Sequence, residues 1–194
     1  MLANDTKPMT TLDLTNHFLI AMPTLNDPNF SRTVTFVCAH NEEGAMGIVI
    51  DRPLNIELGE VLTQMQLESE DPIINNQRVY QGGPVHRDRG FIIHRPVRDW
   101  GSTIQVSDQI AISTSREILA AISKGDGPKE VLVALGYAGW GAGQLEQEMA
   151  DNAWLSGPAS LEILFNAPPE IRWERAAAHV GIDLARLSTE VGHA

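Results

Sequence analysis

A histidine followed by two carboxylates is the first place in this 194-residue chain where chemistry is conceivable. His40 closes an apolar run and precedes Asn41, Glu42 and Glu43. A turn histidine beside carboxylates could shuttle protons or supply half a metal site. No HExxH, no CxxC and no second histidine at ligand spacing accompanies it, so no metal is expected and a hydrogen-bonded turn histidine is the simpler reading. Cys38, two positions earlier, shares a face with His40 if the strand continues. An apolar strand tends to keep a thiol inert, because activated cysteines sit at exposed, electropositive places.

The most unusual stretch is Gly136–Glu148, GYAGWGAGQLEQE, where four glycines alternate with Tyr137 and Trp140 ahead of a helix beginning near Gln144. Glycines permit positive φ and close backbone approach, and successive amides beside a helix N-terminus can form an anion nest. The spacing fits neither dinucleotide nor P-loop fingerprints. Glu146 and Glu148 favour the helix dipole but repel phosphate, so a structural turn is the plainer reading. A solvent-facing Trp140 would instead mark a partner surface. His94 and Arg95 end a strand before Pro96 and could meet an acidic group, or be a polar strand end. No GxSxG elbow frames any serine. A shared small-molecule or anion pocket, if one exists, would gather His40, Arg52, the Gly82-Gly83 turn and the 136–144 loop.

Charge narrows the classes. Fourteen basic against 25 acidic residues give −11, a field that repels phosphate backbones, so general nucleic-acid affinity is not expected. Against that balance, His86–Arg98 holds Arg87, Arg89, Arg95 and Arg98 with Asp88 as its one acid: a solvated face, or a basic docking patch. The longest apolar runs fall far short of the ~20 residues a bilayer requires, so no membrane association is expected. One cysteine allows no intrachain disulfide and suits a reducing cytoplasm. Met1–Thr11 lacks the apolar run of a signal peptide, and residues 1–15 read as a flexible N-terminal segment.

The elements that must position these residues read as strands first and helices later. Phe18–Met22, Thr33–Cys38 and Met46–Ile50 are strands, the latter two a hairpin through HNEEGA. Apolar positions 58, 61, 62 and 65 form one helical face. Arg78–Gln81, Gly90–His94, Thr103–Val106 and Gln109–Ser113 follow as strands in antiparallel succession. Thr114–Glu117 forms a capping box, with Gly125 as the helix stop. Glu130–Leu135 is a central strand covered on both faces. Beyond Gln144 the chain reads as helical, with Trp154, Phe165 and Trp173 as core aromatics. The sum is one α+β domain over 1–194, a mostly antiparallel sheet of six or seven strands folded into a pseudo-barrel with helices outside.

Read together, HFLIAMP, HNEEGAMGIVIDRP, GGPV with GFIIH downstream, LGYAGWGAGQLEQE, NAWL and the closing GHA resemble the YqgE/AlgH family over His17–Ala194. Asp51 is a departure, since the family pattern usually has Asn before Arg-Pro. The resemblance implies a bacterial cytosolic protein and a bifurcated sheet forming a pseudo-barrel. It also implies an association with transcriptional regulation, but carries over no catalytic residues and no cofactor. No helix-turn-helix with a basic recognition helix is present, so the expectation is a regulatory protein that works through contacts with a protein partner.

Overall fold

The computed structural model describes residues 12–190. Of the N-terminal segment expected to be flexible, 1–11 lies outside the described residues, as does the closing GHA motif, while Leu14 is buried. β1 (His17–Ala21), β2 (Val34–Asn41), β3 (Gly44–Val49) and β4 (Pro53–Glu57) lead into α1 (Leu58–Gln64) and the short α2 (Pro72–Asn75). β5 (Arg78–Gln81), β6 (Val85–Arg95), β7 (Thr103–Gln105) and β8 (Ala111–Ser113) precede α3 (Arg116–Ser123) and β9 (Glu130–Gly141). The chain then runs through α4 (Gln144–Ala150), β10 (Trp154–Pro158), α5 (Leu161–Phe165), a 3-10 turn (Pro169–Ile171), α6 (Arg172–His179) and α7 (Leu184–Glu190).

Among the described residues, ten strands make one α+β half-barrel, in the order β10-β1-β2-β3-β9-β6-β8-β7, with β4 and β5 as a branch on β9. The branch exists because β9 is long enough to hold three partners. Gly139–Gly141 and Ala138 pair with β3, Val133–Leu135 pair with β5, and Glu130–Leu135 pair with β6 on the opposite edge. The β5–β9 pair is the parallel one among mostly antiparallel neighbours. Its two strands lie far apart in sequence, which leaves ample chain for a crossover. Alternate residues of the central strands enter different cores: Ile93, Leu132 and Ala134 join Phe18, Phe36 and Trp173, while Ile92 and Val133 join Leu58, Leu62 and Ile118 beneath α1 and α3. Burial on both faces explains the unbroken apolar run of β9.

Four local expectations change. Gly136–Gly141 is not a loop but the second half of β9. The helical tail is interrupted by β10, which holds Trp154 and pairs with β1 from His17↔Pro158 to Ala21↔Trp154. Arg52–Pro53, where the missing proline amide reads as the end of the strand over 46–50, instead leads into a further strand, β4, which opens at Pro53 on the rim of the branch. The cap of α3 moves one residue, to Ser115, whose Oγ accepts from the Ile118 amide at 3.4 Å and donates to the Trp100 carbonyl at 2.5 Å.

At the fork two backbones touch. Gly82 donates to Leu135 and accepts from Val49, both at 2.8 Å, tying the branch to the main sheet. Gly83 has φ +155, and a Cβ there would stand 2.1 Å from the Tyr137 carbonyl carbon. Gly83→Ala therefore meets backbone that cannot yield. We expect a loss of about 3 kcal/mol or more in urea unfolding. Gly90→Ala, where a Cβ meets nothing within 4 Å, stays within about 0.5 kcal/mol of the parent.

Candidate functional site

The residues expected to share a pocket spend their polar groups inside the protein. His40 lies within β2, since the strand runs on to Asn41, and it is buried. Its Nδ1 accepts the Leu14 amide at 3.0 Å, so the proton sits on Nε2, which faces Glu146 Oε1 at 2.6 Å. The Glu146 backbone amide, then His40, hold that carboxyl below the usual range. Arg52 donates to the carbonyls of Pro28, Asn29 and Ser31 at 2.8, 2.8 and 2.9 Å, clamping the β1–β2 loop. None of the five clefts described for the protein is lined by His40, Arg52, Gly82, Gly83, Trp140 or Gln144.

The Gly/Trp segment is likewise inward. Trp140 is 6% exposed, so it offers no partner surface. Its Nε1 and that of Trp154 both donate to Glu148 Oε2, at 2.8 and 2.9 Å. Gln144 accepts from the Gly141 amide at 3.0 Å and donates to Glu148 at 3.2 Å. Glu146 and Glu148 face this end of the sheet and put negative charge beside the start of α4. Burial pushes the Cys38 thiol far above its ordinary range, so it packs inertly.

His94 sits elsewhere and in a different kind of arrangement. Fully buried on β6, it has Nδ1 3.3 Å from the Pro96 carbonyl and Nε2 2.8 Å from Ser113 Oγ. A carbonyl can only accept, so Nδ1 carries the proton and Ser113 donates to Nε2. Ser113 Oγ is 2.7 Å from Thr103 Oγ1, which accepts the Trp100 amide at 2.9 Å. The chain therefore runs one way, from Trp100 N–H through Thr103 and Ser113 to His94 and Pro96. Burial holds His94 below its ordinary value against the opposing Pro96 contact, keeping the ring neutral. Sequence reading flagged His94 but missed Ser113 and Thr103, whose link comes from the cross-strand pair Thr103↔Ser113.

That chain ends behind a cleft of about 510 Å³ lined by Met46, His86, Arg89, Phe91, Thr103 and Tyr137 among others. The register between β6 and β9 slips between Val85 and Gly90, and this irregularity turns His86–Arg89 outward. Tyr137 stands between His86 and Phe91, with ring centroids 6.0 and 5.4 Å away. Arg89 lies over Phe91 at 5.7 Å and donates to Thr114 at 3.3 Å. Two other arginines of the basic run are engaged differently: Arg95 pairs with Glu130 at 3.0 Å, and Arg98 stacks 4.5 Å from the Trp100 ring. Among the described residues no group of three or more His, Cys, Asp or Glu side chains is placed to hold a metal ion.

A forked α+β half-barrel with a buried one-way hydrogen-bond chain behind an aromatic, basic cleft is the class these features define. Residues 18–185 match a family model described as AlgH-like, and the chain belongs to that family. A UPF0301 protein of Nitrosococcus oceani is 54% identical over 179 residues, covering 92% of this chain and 96% of that protein. Another from Thioalkalivibrio sulfidiphilus is 56% identical over 182 residues, 94% and 97% of the two chains. The solution structure of the AlgH protein from Pseudomonas aeruginosa superposes with a TM-score of 0.78 at 48% identity, covering 97% of this chain and all of that one. A Corynebacterium diphtheriae protein shares the fold at 18% identity, with TM-score 0.70 and coverage of 90% and 91%.

Asp51, the departure before Arg-Pro, accepts the Val34 amide through Oδ1 at 3.0 Å, a bond that an asparagine could also make. Burial raises its carboxyl from 3.8 to about 7, against the opposing pull of the Val34 amide, Arg52 and Arg172. A folded value above the unfolded one means that the favourable contribution is complete below pH 3.8 and lost as pH climbs through about 7. Asp51→Asn removes that loss while keeping the acceptor. We expect the variant to gain on the order of 2 kcal/mol over the parent between mildly acidic and mildly alkaline buffer, read from urea midpoints across that range.

Proposed function

We propose that the protein is a regulatory interaction protein of the cytosol, acting through contacts with a partner protein rather than on DNA. Its recognition face is the cleft beside the outturned segment of β6. The observation that carries this reading is local charge inversion beside an open sheet edge. His86, Arg87 and Arg89 are exposed on a chain of net charge −11. β7, next to them, ends the sheet path and presents Ile104 at 55% exposure. An acidic, extended segment of a partner satisfies both, pairing along the strand edge while its carboxylates meet the arginines. The same net charge weighs against contact with a phosphate polymer.

A second reading, a small-molecule site or an enzyme of unassigned class, is favoured by the Thr103–Ser113–His94 chain reaching the same cleft. His94 and Ser113 are themselves sealed from solvent, so only Thr103 faces any substrate. Capture of partners from lysate by tagged protein, compared with Arg89→Glu and Ile104→Asp, tests the first reading. Recovery of the specific partner should fall at least tenfold (about 1.4 kcal/mol) in each variant, with thermal unfolding unchanged. Equal recovery by parent and variants, or retardation of DNA at low salt, would defeat it. Loss of small-molecule binding on Ser113→Ala, with partner capture intact, would favour the second reading.

A further inference from the structure

Sharing no lining residue with that face, a cleft of about 480 Å³ opens between β5, the loop before β9, and the start of α6. Its inner wall holds Arg172, which is 4% exposed yet forms no ion pair with any carboxylate among the described residues. Nε donates to the Ala167 carbonyl at 2.9 Å, Nη1 donates to the Ile50 carbonyl, and the guanidinium lies 5.1 Å from the centre of the Tyr80 ring. Among the described residues Nη2 has no acceptor, and it is not among the polar atoms sealed without a partner. The Tyr80 hydroxyl, on a side chain also almost wholly buried, stands in the same condition.

A buried guanidinium is costly unless its charge and its donors are met. Here two carbonyls and the fields of the nearby Asp51 and Glu170 carboxyls meet part of that demand, while Nη2 is left without an acceptor among the described residues at a cleft that Tyr80 also lines. We propose that this cleft is a binding site for a small organic anion, with a carboxylate or phosphate head on Arg172 Nη2 and the Tyr80 hydroxyl. Lys129, exposed at the mouth, adds a positive charge. Of the other charged lining groups, Arg78 is held by Glu170 at 3.0 Å and Glu130 by Arg95 at 3.0 Å. Leu132, Leu164 and Phe165 provide an apolar wall for the rest of the molecule. The volume lies within the ~300–1,000 Å³ that small-ligand pockets occupy. Gly125, in the lining, adopts φ +79, and nothing stands within 4 Å of the Cβ position there.

The site is independent of the β6–β7 face, and its test uses the full chain with benzoate, phenyl phosphate, inorganic phosphate and benzamide as probes. Titrations followed by amide and arginine Nε–H resonances should show saturable shifts at Arg172, Leu132 and Phe165 with benzoate or phenyl phosphate. Comparing those two distinguishes a carboxylate from a phosphate head, and inorganic phosphate alone reports the head without the apolar wall. Benzamide, neutral and of the same shape as benzoate, should bind at least tenfold more weakly. Tyr80→Phe keeps the ring under the guanidinium and should weaken binding of the preferred anion about tenfold, and Lys129→Gln about threefold, each with unfolding unchanged. Arg172→Lys, whose ammonium lacks the planar fork, should abolish saturation. Unsaturable shifts for every anion, benzamide binding as well as benzoate, or Tyr80→Phe binding like the parent would overturn the proposal.

Discussion

Everything in this fold depends on two peptide backbones passing within contact distance where β9 changes partners. Only glycine lets the Gly82–Gly83 turn lie against Gly136–Tyr137, because any Cβ would enter a carbonyl. The approach allows Gly82 to bond both Leu135 and Val49, so the β4–β5 branch and the main sheet share one seam. Without the seam, β9 could keep β3 or β5 on that edge but would lack continuity between them. The helices pack on the surfaces that this fork creates: α1 and α3 beneath the branch, α5 and α6 over the main sheet.

Around the seam, polar side chains serve as ties between segments distant in sequence. His40 joins the chain before β1 to α4, Glu148 gathers two indoles, Arg52 holds the β1–β2 loop, and Arg172 reaches from α6 to Ile50. A buried polar group left unsatisfied costs about 1–3 kcal/mol, so each tie specifies one packing over its neighbours. Groups that look catalytic by residue type are therefore mostly committed before any ligand arrives. The His94 chain differs in degree: it is also satisfied internally, but its far end reaches a cleft wall.

This division explains what the sequence could disclose. Periodicity exposed β1–β3, α1, β5, β6 and α3, because their apolar positions alternate at 2 or 3.6 against solvent or one core. Local patterning hid the fork, which only the family resemblance implied, since a glycine-punctuated strand reads as a turn unless its cross-strand partners are known. β10 was hidden for a related reason: Ser156, Gly157 and Pro158 are turn residues by type, and here complete the edge of β1. The ordered motifs around His17–Pro23 and Leu135–Glu148 carried the family, while the polar network eluded local patterns. His94 finds Ser113 nineteen residues on, and Arg172 finds Ile50 over 122, distances at which spacing along the chain holds no information.

Net charge and local charge then act on different length scales. At physiological ionic strength fields fade over about 8 Å, so the −11 of the whole chain governs the approach of large polyanions. Inside a concavity the nearest groups decide, and desolvation strengthens them relative to the distant surface. A nucleic acid must lay many phosphates along the acidic exterior, whereas a single acidic segment or a small anion need place only its own charge against an arginine. On the two proposals made above, burial of Arg172 with a donor unmatched among the described residues, and exposure of Arg89 beside a strand edge, would be two solutions to the same problem: admitting one kind of negative charge while the body of the protein turns the rest away.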